Sequence, residues 1–121
     1  MINDNLTKYN YKIDTETPLN EYVNDKRVYA RLYEGNIPSS GTSSTQYTLF
    51  SISDISRDKI WFDNSNSFMR ANNGGATLPL SWYYGASDYA RFIINGNNVQ
   101  IKTGGNISNG DYRIILKYTK S

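Results

Sequence analysis

The chain of 121 residues contains neither cysteine nor histidine. Without Cys there is no disulfide framework, no thiolate zinc site and no cysteine nucleophile. Without His the usual general base near neutral pH is missing, together with the commonest metal ligand and the middle member of a Ser-His-Asp triad. Long hydrophobic runs are absent as well. No stretch of roughly 18 apolar residues could cross a bilayer as a helix, and the opening "MINDNLTKYN" lacks the charged-then-apolar pattern of a signal peptide. An excess of one charge is also lacking. Thirteen Lys and Arg against eleven Asp and Glu leave a net charge of +2, and they are scattered rather than striped, which is poor equipment for nucleic acid. The sequence therefore predicts no nucleic-acid partner, no membrane insertion, no metal and no cofactor.

What is abundant is tyrosine, eleven of them, with many Asn, Ser, Thr and Gly. That mixture favours strands joined by polar turns, and the length suits one domain. Strand-like alternation runs through "KYNYKI" (8 to 13), "RVYARLY" (27 to 33) and "QYTLFSIS" (46 to 53). In the second, Val28, Ala30 and Leu32 share one face, and Arg27, Tyr29, Arg31 and Tyr33 the other. That Tyr-Arg face has the composition of an interface. "KIWF" is also two-faced, with Ile60 and Phe62 opposite Trp61; a second apolar face means a sandwiched strand or a partner, and a partner is expected here.

The remaining punctuation is turn chemistry. "EGNIPSSGTSSTQ" reads as a loop, and "DNSNS" separates the strand-like "DKIWFDN" and "SFMRANN". The Asx-rich "DNSNS" has Ser at the third and fifth positions of a calcium loop and Phe68 where such a loop needs Gly, so it reads as a plain turn. In "RFIINGNNVQIKTG" two alternating runs flank Asn95-Gly96-Asn97, a hairpin signal that puts Phe92, Ile94, Val99 and Ile101 in the core. In the final "DYRIILKYTK", Ile114, Leu116 and Tyr118 oppose Ile115 and Lys117. The predicted fold is all-β: a single antiparallel β-sandwich, jelly-roll-like, of about eight strands.

Residues 16 to 121 contain the pattern of a polar lead, a tight turn and a strand in "NEYVNDKRVYARLYEGNIP", then "TLPLSWYY" and "FIINGNNVQIKTGGNISNGDYRIILKYTK". This resembles a β-rich domain found at the C-terminal end of bacteriophage tail-fibre, baseplate and receptor-binding proteins; Tyr22 and Val23 stand where its members often carry Trp. The chain is expected to divide into an N-terminal strand or connector, 1–15, and a receptor-binding β-sandwich, 16–121, the part that the resemblance covers. The resemblance also implies a virion or phage-like tail setting, a homotrimer, contacts with other tail proteins, and recognition of a bacterial cell-surface saccharide.

The stretch "LPLSWYYGASDYARFIING" offers two readings. As one strand it would place Leu78, Leu80, Trp82 and Tyr84 on one face, making Trp82 and Tyr84 core or trimer contacts. Alternatively Trp82, Tyr83, Tyr84 and Tyr89 wall a shallow carbohydrate-binding cleft, with Asp88 and Asn72 or Asn73 bonding hydroxyls and Arg70 meeting an anionic group. Catalysis is not expected, because the acidic residues are strewn over turns with no paired carboxylates in differing environments. A tip or adaptor domain with no ligand is the alternative to a saccharide binder.

Overall fold

The computed structural model describes residues 15–37, 46–70, 77–85, 88–103 and 110–121; for 82–85 and 88–89 only the backbone is described. These residues form ten strands: β1 (Thr17–Val23), β2 (Lys26–Asn36), β3 (Gln46–Ser51), β4 (Lys59–Phe62), β5 (Phe68–Arg70), β6 (Thr77–Leu78), β7 (Trp82–Gly85), β8 (Asp88–Asn95), β9 (Asn98–Thr103) and β10 (Asp111–Thr119). All pairings are antiparallel. One sheet runs β1-β2-β10-β5-β6, with β4 also on β10, and the other runs β3-β9-β8-β7. The chain changes sheet between β2 and β3, β3 and β4, β6 and β7, and β9 and β10, as in a jelly roll. The expected antiparallel β-sandwich is thus what the structure shows. No helix among the described residues is long and apolar enough to cross a membrane.

Turn chemistry fixes the two tightest hairpins. Asn24 and Asp25 both have positive φ (50° and 64°) between the paired Val23 and Lys26, the two-residue geometry whose twist matches the flanking strands. Gly96, at φ 60°, opens the turn between Asn95 and Asn98. The strand β1 is not foreshadowed by alternation, since "TPLNEYV" holds Pro18 and a mostly polar, exposed run. It forms as an edge, held by the turn, by Arg27 Nε donating to the Leu19 carbonyl at 2.8 Å, and by Lys117–Glu21 and Lys120–Glu16 ion pairs.

The strand β10 organises the larger sheet. All nine of its residues pair with β2, while its other edge is shared by β4 and β5. Between those two the chain steps outward in a single 3-10 turn, Asn64–Asn66. The backbone N–H of Asp63 donates to the Ile115 carbonyl at 2.9 Å, and Ile115 N–H donates to Ser67 Oγ at 2.9 Å. The "DNSNS" segment is therefore a turn that bulges one edge strand while keeping both backbone groups of Ile115 satisfied.

Directly opposed residues share a face, so the register divides this sheet into two surfaces. Tyr29 and Tyr33 lie with Ile114, Leu116 and Tyr118 on the inner surface, against Phe92, Val99 and Ile101 of the second sheet. Here the structure corrects an expectation: the Tyr-Arg face of β2, which has the look of a subunit interface, packs inside the sandwich. Tyr33 stacks on Phe50 with centroids 4.1 Å apart, Phe50 stacks on Tyr112 at 6.0 Å, and Tyr29 stacks on Tyr118 at 6.1 Å. Arg31, on the same face, is held by Tyr118 Oη and Asp54. Of the expected core residues, Phe92, Val99 and Ile101 are buried and Ile94 packs against them.

The outer surface of the same sheet is buried too. Val28, Ala30, Leu32 and Ile115 are each no more than 2% exposed within this single chain, and among the described residues Leu19 packs on Ala30, Leu32 and Ile115. Trp61 lies half-buried on this side, opposite Lys117.

A polar latch closes one open edge of the sandwich. Tyr118 Oη donates a short hydrogen bond to Glu16, Arg31 Nε donates to Tyr118 Oη at 3.3 Å, and Lys120 Nζ meets Glu16 at 2.7 Å while sitting 4.4 Å above the Tyr29 ring. Burial pushes the Glu16 carboxyl up. The hydrogen bonds from Lys120 and Tyr118, with the charges of Lys120 and Arg31, outweigh it and hold the group below its ordinary value of 4.5. The Asp111 carboxyl is likewise held below 3.8 by Arg70. Depressed native values mean that the unfolded chain binds these protons more readily, so their stabilisation is present above about pH 4.5 and is lost as pH falls through the native values. The melting temperature should therefore decline between about pH 5 and pH 2. In Glu16→Gln the part due to Glu16 should vanish from that decline; an unchanged acid profile would remove the latch from the account.

Candidate functional site

The ends of β2, β5, β7 and β9 and the beginnings of β3, β6, β8 and β10 lie together at one end of the sandwich. The register sets this within each sheet: Asp111 pairs with both Asn36 and Arg70, Arg70 with Thr77, Gln46 with Lys102, and Ala90 with Thr103. Bonds at the other end align the two sheets, since Arg57 holds the 96–97 turn at 2.7 and 3.1 Å next to Asp58, whose N–H donates to the Thr119 carbonyl.

At this end a cleft of about 330 Å³ opens on the outer surface of the larger sheet, lined by Glu34, Gly35, Asn36, Phe68, Arg70, Asp111, Tyr112 and Arg113. Three neighbouring strands supply it in register: Asn36, Asp111 and Arg70 form one row, and Glu34, Arg113 and Phe68 the next. Alternation explains the chemistry. The intervening Tyr112, Ile114 and Met69 point into the core, which leaves the polar alternates and Phe68 on the outer side.

Arg70 and Asp111 are engaged fork to fork, Nε donating to Oδ1 at 2.9 Å and Nη2 making a second, short contact to Oδ2. The pair raises the affinity of Arg70 for its proton and lowers that of Asp111, so both remain charged over the whole neutral range. Neither Arg113 nor Glu34 makes a hydrogen bond or ion pair among the described residues. The cleft thus offers a free guanidinium, a free carboxylate, a carboxamide, a fixed ion pair and the partly buried ring of Phe68. This equipment can hold vicinal hydroxyls by bidentate bonds while an apolar sugar face rests on the ring. No group of three or more acidic side chains among the described residues is placed to hold a metal ion.

The residues singled out from sequence are distributed as follows. Arg70 lies in the cleft, but with its guanidinium already engaged by Asp111. Asn72 and Asn73 lie outside the described residues. Trp82, Tyr83, Tyr84, Asp88 and Tyr89 belong to the β7–β8 hairpin of the other sheet, where Trp82 pairs with Ala90, Tyr83 with Tyr89 and Gly85 with Asp88, across a bulge; their side chains lie outside the description. "LPLSWYYG" is not one strand. It crosses from β6 to β7 through 79–81, with Leu80 fully in the core and Pro79 and Ser81 exposed. Sequence reasoning missed Glu34, Phe68, Asp111 and Arg113. The signal for two of them was present in "GDYRIIL", where Asp111 and Arg113 occupy the positions alternate to Tyr112 and Ile114.

Comparison with protein-family models, curated proteins and solved structures gives no match for this chain.

Proposed function

We propose that this chain is a non-catalytic domain that binds bacterial surface glycan, the receptor-binding tip of a phage tail fibre or phage-like tail particle. The observation that carries the reading is the cleft at the end where Asn36, Arg70 and Asp111 meet, in which Phe68, Arg113 and Glu34, the last two without a partner among the described residues, and the Arg70–Asp111 pair line about 330 Å³. The tail setting rests on the likeness of "NDKRVY" and "LKYTK" to tail-fibre tips, and a homotrimer is part of the same proposal. A shallow saccharide site of this kind binds weakly, with a dissociation constant around a millimolar, about −4 kcal/mol. Linked copies would raise the avidity by orders of magnitude without new contacts.

The test is a glycan array of bacterial surface saccharides probed with the wild-type chain, Arg113→Gln and Phe68→Ala. Removing the guanidinium should weaken binding by about 1.5–3 kcal/mol, tenfold or more, with the melting temperature nearly unchanged. Binding that survives both substitutions would exclude the cleft. Exposed apolar groups favour a second reading, an adaptor or trimerisation tip: Tyr22 is 60% exposed and Val23 36% at the end of the β1–β2 hairpin. Under that reading no saccharide is retained, and Tyr22→Ser abolishes self-association measured by light scattering.

A further inference from the structure

The outer surface of the second sheet carries a pair of cations with no ion partner among the described residues. Arg91 on β8 and Lys102 on β9 are direct cross-strand partners, so their side chains rise from the same face. Like charges in that position repel and destabilise a sheet. Several other cations of the chain have a carboxylate beside them, as in Lys26–Asp58, Arg31–Asp54, Lys117–Glu21 and Lys120–Glu16. Arg91 and Lys102 make no ion pair or hydrogen bond among the described residues. Their neighbours on the face are neutral: Gln46 opposes Lys102, and Gln100 accepts from Gln46 at 3.1 Å and Asn95 at 3.2 Å while donating to Thr48 at 3.0 Å. The neutral groups satisfy one another and leave the exposed Arg91 and the half-buried Lys102 without a counter-charge among the described residues.

We infer that Arg91 and Lys102 form a second binding site, one that takes an anionic saccharide chain through carboxylates or other acidic groups repeated along it. Adjacent strands lie about 4.8 Å apart, so the two cations can engage one anionic group together or two successive ones. The neutral carboxamide row beside them supplies no competing negative charge. This site is separate from the cleft beside Arg113 and goes beyond the function proposed for it, because it selects for charge on the ligand.

The probes are polygalacturonate and neutral dextran, with binding to the full chain followed by biolayer interferometry at low and high salt. The wild type should hold polygalacturonate, release it as salt rises, and ignore dextran. Arg91→Gln and Lys102→Gln should each weaken binding about tenfold, whereas Lys59→Gln, which removes an exposed cation on β4 of the other sheet, should leave this binding in place. Arg91→Glu has two readouts: pairing with Lys102 should raise the melting temperature while binding is lost. Equal dextran binding, undiminished binding in Arg91→Gln and Lys102→Gln, or an equal loss in all three Gln variants would each overturn the inference, the last because it would indicate attraction to net charge alone.

Discussion

Gly35→Ala should cost about 2–3 kcal/mol of stability, unusual for a strand residue of which the side chain is a single hydrogen. A Cβ built at this position would stand 2.4 Å from Tyr112 Oη and 2.6 Å from its Cζ. Gly35 and Tyr112 are cross-strand partners, and the tyrosine ring lies over the glycine in place of a side chain. The ring cannot swing aside easily, because it is 7% exposed and stacks on Phe50, which in turn stacks on Tyr33. Urea denaturation of Gly35→Ala against wild type measures the loss. Tyr112→Leu should make Gly35→Ala less costly, so the double mutant should be more stable than the two single losses sum to. Strict additivity would mean that the clash is relieved elsewhere.

A second large effect is expected at Ile115, on the side of the sheet away from the sandwich interior. In an ordinary two-layer sandwich that side faces water and an Ile→Ala change there is nearly neutral. Here Ile115 is 0% exposed, as is its neighbour Ile114 on the inner face. Ile115→Ala should therefore cost about 2–5 kcal/mol, comparable to Ile114→Ala, at chain concentrations where light scattering detects only monomer. Near-neutrality in the monomer, with the loss appearing only on association, would show that a second copy and not the chain itself covers this face. The Leu32–Ile115 pairing makes Leu32→Ala an independent repeat of the test.

These residues also show how far the sequence could be read. Local rules were enough for the Gly96 hairpin, whose backbone conformation a few residues dictate, whereas the turn at Asn24-Asp25 was expected only from the resemblance. Alternation was enough to find Phe92, Val99 and Ile101, and to assign both faces of β10. It could not say which face of β2 looks inward, because Tyr29 and Tyr33 are as plausible outside as Val28 and Leu32. That choice is made by Phe50 and Tyr112, distant in sequence, which build the aromatic stack between the sheets. β1 was missed because its stability comes from its neighbours and not from its own pattern. The cleft was only partly legible for the same reason. Arg70 was noticed as a lone cation, whereas its partner Asp111 and the neighbouring Arg113 reach it through the register of a strand 41 positions further along.

The order in which the sheet is threaded has a consequence for how the chain acquires its shape. β10 is the last of the described strands in chain order, yet it separates β2 from β4, β5 and β6 in the larger sheet. Until residues 111–119 leave the ribosome, β2 lacks a neighbour from Val28 to Asn36, β4 lacks the strand it pairs with, and β5 has only β6 beside it. The β1–β2 and β8–β9 hairpins can close early from local contacts, but the larger sheet must wait for its centre. High contact order of this kind makes folding slow and leaves unpaired edges open meanwhile. Nascent chains stalled before residue 111 should therefore be protease-sensitive, and the chain should gain protection in one late step.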